Sequence, residues 1–219
     1  MVDTELLAAV QLFADFPPEG LAEVAAAAQQ RQLDRNDVLF NEQDEATELF
    51  VVLSGRIAIA NVAMDGRESV VALMEDGDVF GEMPLFDGRG RSAAARVLEP
   101  SEIVAVPYEA VRTVYETDPS LLWTVVALLA GRIRVTDEAL ADAMFLDVTG
   151  RTAKRLLDLA GDDDEFELPV TQEELAGMVG ASRERVNKAI SSFLRLGWLE
   201  QNDGRYRITN RQQMEIRAS

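Results

Sequence analysis

The run TQEELAGMVGASRERVNKAISSFLRLGWL, Thr171 to Leu199, decides how the C-terminal part of this chain folds. Thr171 and Glu174 form a T-x-x-E capping box, which satisfies amides that every helix start leaves open and so begins a short helix. Gly180 permits the tight turn that follows, and Ser182 supplies the oxygen that caps a second helix running to about Leu196. Ala176, Gly180 and Val186 stand where two helices crossing near a right angle must touch closely. An ordinary helical hairpin with a solvated charged face would explain the charges. It would not explain cap, small residue, turn glycine and second cap in one run, which together specify a helix-turn-helix.

The first turns of the second helix carry Arg183, Glu184, Arg185, Asn187 and Lys188, while Val186, Ile190, Phe193 and Leu194 form its apolar stripe. Such a helix can enter the major groove of double-stranded DNA with its N-terminal residues at the base edges. Arg183 suits guanine O6 and N7, Glu184 suits the cytosine amino group, and Lys188 lies one turn on from Glu184, in reach of a further guanine or a phosphate. Thr171 and Ser182, at helix N-termini, are placed for phosphates. Beyond them, Trp198 to Gln201 and Arg205 to Thr209 flank Asn202-Asp203-Gly204 and predict a two-stranded wing, whose Arg205 and Arg207 would meet phosphates. The acidic stretch Gly161 to Glu167 reads as a solvated loop.

Charge separates this end from the rest of the 219 residues. Residues 1–150 hold 10 Lys and Arg against 27 Asp and Glu, residues 151–219 hold 11 against 12, and the whole carries a net charge of -18. A chain so acidic does not coat nucleic acid indiscriminately, because such binding needs phosphate-facing cations. With no Cys and no His, disulfides, Cys/His zinc sites, thiolate-held iron-sulfur clusters and His-ligated haem are excluded, so no metal site is expected. The longest apolar run, Leu121 to Ala130, is about half of what a bilayer requires. No membrane contact and a cytoplasmic location are the expectation.

Ahead of the helix-turn-helix the pattern changes twice. Two short Ala-rich helices are expected at Leu6 to Phe13 and Glu19 to Gln29, around Pro17-Pro18. Short β-rich runs follow at Asp37 to Phe40, Glu48 to Leu53, Arg56 to Val62, Ser69 to Met74 and Ala94 to Val106. Turn signals at Ser54-Gly55, Asp65-Gly66 and Asp76-Gly77 separate them, which predicts an antiparallel barrel or jelly roll. After a helix at Pro107 to Glu116, a long one starts near Pro119 and can run to about Leu146. Its residues Leu122, Val126, Leu129, Ile133, Thr136, Leu140 and Ala143 are spaced 4-3-4-3-4-3, the seam of a two-stranded coiled coil, so a homodimer is expected. The competing reading packs this stripe on the chain's own β-domain. A hinge is expected at Asp147 to Gly150, before a helix from Arg151 to Ala160.

One stretch of the β-rich part does not read as strand: FGEMPLFDGRGRSAAA, Phe80 to Ala95. It gathers turn glycines, a carboxylate, a guanidinium, a hydroxyl and backbone N–H groups, which suit a cyclic phosphate with its ribose. Arg91 can neutralise the phosphate, Ser92 and backbone N–H groups can bond it, and Glu82 can accept from a ribose hydroxyl. A Glu82 to Arg91 ion pair pinning a loop is the alternative. An enzyme built on Glu82 and Arg91 lacks a nucleophile with a base and a metal-ligand set, so no catalytic residue is assigned.

GEMPLF with RSAAA, the segment FLDVTGR at Phe145 to Arg151, and VGASRERVNKAI at Val179 to Ile190 together resemble the cyclic AMP receptor protein / fumarate and nitrate regulator family of bacterial transcription regulators. The resemblance covers essentially the whole chain and is similar in particular to the actinobacterial branch, by the interval between Glu82 and Arg91. It implies an α+β fold: a cyclic-nucleotide-binding β-roll (jelly roll) over residues 1–118, a dimerisation helix over 119–146 and a winged helix-turn-helix over 147–219. It implies no cofactor but an effector, cyclic AMP, met by Gly81, Glu82, Met83, Arg91, Ser92 and, from the long helix, Thr136 and Asp137. Asp137 departs from the family's Ser, and Lys188 replaces an Arg that would bond bidentately. The implied partners are double-stranded DNA with TGTGA-like half-sites in inverted repeat, a second copy of the chain, the cyclic nucleotide and RNA polymerase. A regulator with a vestigial pocket or another effector is the alternative.

Overall fold

The computed structural model describes residues 2–62, 68–168, 170–202 and 205–219, in two compact units, Met1–Ile133 and Arg134–Ser219. At the centre of the first unit two apolar runs, β3 (Glu48–Ser54) and β8 (Ser101–Pro107), pair antiparallel. Alternate side chains of a strand point to opposite faces, and here both faces are covered. Phe50, Val52, Ile103 and Ala105 enter one core cluster, whereas Leu49, Val51, Val104 and Val106 enter another. Burial on both faces is why these strands read as unbroken apolar runs rather than as an alternation.

Strands β1 (Gln29–Leu33) and β6 (Val79–Phe80) complete this sheet in the order β1-β8-β3-β6. A second sheet, β2-β7-β4-β5, contains β2 (Val38–Phe40), β4 (Ile57–Val62), β5 (Glu68–Met74) and β7 (Ala94–Val97). Phe40, Ile57, Ala95 and Val97 of the second sheet meet Phe50 and Phe80 of the first, forming the core between the two. The outer face of the first sheet is covered by helices α1 (Thr4–Ala8), α2 (Pro18–Ala27) and α4 (Tyr108–Thr117) and by the start of α5 (Leu122–Phe145). The short α3 (Met83–Asp87) follows β6.

This is the β-roll expected, with local differences. The expected first helix breaks into α1 and a 3-10 turn at Gln11–Phe13. The second ends at Ala27, and QQRQL beyond it forms β1. That strand has no apolar face to announce it; it is held as an edge by pairing with β8 and by Arg31, which grips Glu48 bidentately at 2.7 and 2.8 Å. The run Ala94 to Val106 divides into β7 and β8 at Leu98, whose N–H turns to the Arg56 carbonyl. The expected turns at Asp65-Gly66 and Asp203-Gly204 lie outside the described residues.

Helix α5 has two apolar stripes. Leu121, just before it, and Val125 and Leu128 are buried, while Leu122, Val126 and Leu140 are exposed and Ile133 is 60% exposed. Within the first unit the seam residues Leu122, Val126 and Ile133 are therefore left open, Leu129 packs partly against the β-domain core, and the neighbouring stripe packs on it fully. By length and composition alone, Pro119–Phe145 is apolar enough to cross a bilayer. Gly131, Arg132 and Arg134 interrupt its longest unbroken apolar run, which ends at Ala130.

In the second unit α5 ends at Phe145 and α6 (Val148–Ala160) starts at Val148, so the break falls at Leu146 and Asp147, and residues 148–150 of the expected hinge are already helix. Asp147 caps it, accepting from Gly150 N–H at 2.8 Å and from Arg217. Those bonds, the Gly150 one foremost, hold the Asp147 carboxyl below its ordinary pKa. Helices α7 (Gln172–Val179) and α8 (Arg183–Leu196) follow, then β10 (Leu199–Asn202), β11 (Arg205–Ile208) and α9 (Arg211–Arg217). The acidic stretch read as a loop contains β9 (Glu165–Glu167), and the wing is three-stranded, β10-β11-β9.

Candidate functional site

Arg91 follows the short α3 and lies 4% exposed inside the β-roll. Its Nη1 donates to the Gly81 carbonyl at 2.8 Å and to the Tyr108 hydroxyl at 3.1 Å, and its Nη2 donates to the Glu48 carbonyl at 2.8 Å. Tyr108 in turn donates to the Gly81 carbonyl. The guanidinium lies over the Phe40 ring at 4.1 Å, a cation–π contact. Gly81 has φ +73, where an L side chain is strained, and a Cβ there would stand 2.6 Å from Arg91 Nη1, so that the guanidinium would have to shift.

A buried cation ordinarily has a carboxylate beside it, and no described carboxylate forms an ion pair with Arg91. The nearby acids are engaged elsewhere. Glu48 pairs with Arg31, Asp44 accepts from the Asn41 N–H at 2.8 Å, and Glu82, 1% exposed, pairs with Arg132. The alternative expectation of a Glu82 to Arg91 ion pair is therefore replaced by Glu82 to Arg132. In the first unit two buried side-chain atoms lack a hydrogen-bond partner among the described residues, Arg91 Nε and Glu82 Oε2. Burial pulls the Arg91 pKa below its ordinary value, against the raising influence of Tyr108, Glu48 and Asp44. Burial likewise pushes the Tyr108 phenol up to about 12. The β-roll thus holds one cation and one carboxylate oxygen with bonding capacity unused, suited to a ligand carrying both an anion and a hydroxyl.

Of the other expected contacts, Ser92 is exposed with its hydroxyl 3.6 Å from Met83 sulfur, and Met83 opens α3. Thr136 and Asp137 are exposed on α5 and belong to the second unit. Arg132, which also donates to the Val79 carbonyl at 2.7 Å, and Tyr108 were missed by sequence reasoning. Neither stands near the glycine-rich stretch, and only the packing of α5 and α4 brings them there.

In the second unit Thr171 Oγ accepts from Glu174 N–H at 3.2 Å and Glu174 returns the bond to Thr171 N–H at 2.7 Å, the full capping box. Gly180 ends α7 in the left-handed region at φ 66, and Ser182 Oγ accepts from Arg185 N–H at 3.4 Å. Both cap oxygens act as acceptors, so each hydroxyl proton remains available for a phosphate. Leu175, Ala176, Val179, Val186, Ala189, Ile190 and Phe193 are buried between α7, α8 and their neighbours. Arg183, Glu184, Arg185 and Lys188 are exposed along the start of α8. Asn187 differs: it is half-buried, and its Oδ1 is enclosed with no partner among the described residues. Arg205 is not free either, since its Nε lies 2.8 Å from Glu167.

A β-roll enclosing an unneutralised cation, followed in the same chain by a winged helix-turn-helix, defines a class of sensor-controlled DNA-binding proteins. Residues 30–118 match the family described as cyclic nucleotide-binding domain, and residues 150–216 match the Crp-like helix-turn-helix domain. The chain belongs to the cyclic AMP receptor protein / fumarate and nitrate regulator family of transcription regulators, not to a family of enzymes. It is 34% identical over 221 residues, 98% of this chain and 99% of the other, to the CRP-like cAMP-activated global transcriptional regulator of Mycobacterium tuberculosis. It is 32% identical over 159 residues, 69% of this chain and 76% of the other, to the cAMP-activated global transcriptional regulator CRP of Escherichia coli O157:H7. The solved structure of the c-di-GMP responsive global regulator CLP of Xanthomonas campestris is similar at 25% identity and a TM-score of 0.75, over 88% of this chain and 99% of that one.

Proposed function

We propose that this protein is a homodimeric, cytoplasmic transcription regulator whose affinity for DNA is set by a cyclic nucleotide, cyclic AMP foremost. The observation that carries the effector reading is Arg91, a buried guanidinium with no carboxylate partner among the described residues and an unused Nε. A cyclic phosphate supplies the missing charge, Glu82 Oε2 accepts from the ribose hydroxyl, and Gly81, Met83 and Ser92 line the approach. Thr136 and Asp137 enter this reading through the family resemblance, as contacts to adenine from α5. An Asp there can accept from the adenine amino group, but it sets two negative charges near a dimer axis.

Dimerisation is supported by the exposed stripe Leu122, Val126, Ile133 and Leu140, which a second copy would cover as a coiled-coil seam. The same stripe accounts for the apolar length of the helix without a bilayer, and a pair of charges, Asp137 and Glu138, sits poorly in hydrocarbon. In the dimer two α8 helices would read successive major grooves with centres about 34 Å apart, on an inverted repeat of TGTGA-like half-sites. Arg183, Glu184 and Lys188 would read bases, and Thr171, Ser182 and Arg185 would hold phosphates. Ligand can drive the change only through a difference in affinity for two arrangements, about 5.5 kcal/mol for a shift from 1:99 to 99:1. RNA polymerase would be the partner that reads the bound state.

The test is a DNA-shift titration on a palindromic TGTGA duplex at fixed salt, with no nucleotide, cyclic AMP, cyclic GMP or c-di-GMP. Tightening by cyclic AMP alone is the expected result. Equal binding in all four arms would favour a vestigial site instead, and a response only to c-di-GMP would reassign the effector. Sedimentation equilibrium of Ile133→Glu is expected to give a monomer where the unmodified chain gives a dimer.

A further inference from the structure

On the reading of the second unit as a DNA-binding winged helix-turn-helix, we infer that β9 is an internal competitor for DNA phosphate: Glu165 and Glu167 occupy the wing arginines and hold down sequence-independent binding. The register is direct. Arg205 stands opposite Glu167 and Arg207 opposite Glu165 across β11 and β9, with Nε to carboxylate distances of 2.8 and 2.6 Å. Tyr206 stands opposite Phe166 between them, the two rings stacked at 5.8 Å, and Tyr206 is buried. Strand alternation therefore fixes both arginines and both glutamates on the solvent face. On the other side of β11, Glu200 stands opposite Arg207 and Asn202 opposite Arg205. The solvent face so formed carries two arginines against three glutamates, a net charge of -1, where a two-stranded wing without β9 would carry +1.

A carboxylate offers a guanidinium the same paired oxygens that a phosphate does. These pairs are exposed, so each is weak enough to be exchanged rather than locked. Their effect is on binding: a phosphate must displace a glutamate from each arginine, and the displaced carboxylate then faces the duplex. Because sequence-independent affinity comes almost wholly from phosphate contacts, the penalty appears undiluted on DNA that lacks half-sites. Arg211, bonded to Asp164 and to the Gly161 and Asp163 carbonyls, anchors the chain entering β9. The competitor is thereby held in register instead of swinging away.

The experiment measures the full-length protein, with and without cyclic AMP, by fluorescence anisotropy on a labelled duplex without TGTGA half-sites over a range of salt. Glu165→Gln/Glu167→Gln is expected to lower Kd by about three- to tenfold, as two weak pairs are released. The same glutamine changes placed on Arg205→Ala/Arg207→Ala are expected to give no gain, because the arginines are the beneficiaries. Glu167→Gln alone, with an unchanged melting temperature, serves if the double variant folds poorly. An unchanged Kd, or an equal gain without the arginines, would overturn the proposal while leaving the DNA-binding reading intact. Absence of DNA binding by every form at low salt would overturn both.

Discussion

Arg91 and the pair Arg205 and Arg207 are the same side chain put to opposite uses. In the β-roll, Arg91 is buried, bonded to carbonyls and a phenol, and given no carboxylate among the described residues. On the wing, Arg205 and Arg207 are exposed, and each has a glutamate directly across the strand. Low dielectric makes the first arrangement costly and selective, because the one partner able to relieve it must arrive from outside. Water makes the second cheap and reversible. The β-roll thus keeps its buried guanidinium without a carboxylate, while the wing gives each of its two arginines a glutamate.

That contrast can be broken most readily at Arg91. Arg91→Ala should weaken cyclic AMP binding by about 2–5 kcal/mol, roughly thirtyfold or more, and Arg91→Lys should recover only part of it because a point charge replaces a fork. Calorimetry reads both. Next in size, Arg183→Ala should cost about 1–3 kcal/mol on a TGTGA duplex and relax preference at its base, seen by competition with single-base variants. Arg205→Ala should leave unfolding free energy within about 0.5 kcal/mol of the unmodified chain by urea titration.

The tyrosines sharpen the picture from another side. Burial raises the pKa of all three, Tyr108, Tyr115 and Tyr206. A raised folded value means the native state retains protons that the unfolded chain gives up. Stability should therefore be intact below the unfolded pKa of about 10 and fall as pH rises towards and through the folded values, about 12 for Tyr108. Ultraviolet titration should show all three tyrosines ionising at higher pH in the folded protein than in the unfolded chain. A phenolate titrating near pH 10 that disappears in Tyr108→Phe would mean that Tyr108 is open to water and that the cradle around Arg91 is loose.

Much of this architecture was legible in the residues. The capping box, Gly180 and Ser182 specify α7, the turn and α8 through local hydrogen bonds, and local rules read them correctly. Strand β3 was legible as a short β-rich run, whereas β7 and β8 read as one run that the structure divides at Leu98. What stayed hidden depends on partners far away in sequence. β1 is polar and exists because β8 offers it an edge; β9 looked like a solvated acidic loop because its partner, β11, lies 38 residues on from Glu167 at Arg205. Arg132 and Tyr108 converge on Glu82 and Arg91 through helix packing, and the sequence around GEMPLF holds no sign of either. The break between α5 and α6 is shorter than the expected hinge for a local reason: Asp147 is a good N-cap, and a good N-cap starts a helix at once.

The most direct test of the central claim, that Arg91 is kept without a carboxylate so that a cyclic phosphate can complete it, is calorimetric titration of the unmodified protein and Arg91→Ala with cyclic AMP in one buffer. Saturable heat from the first and an affinity weaker by roughly thirtyfold or more in the second, with both folded by circular dichroism, is the predicted result. Equal affinity in the two proteins would contradict the account.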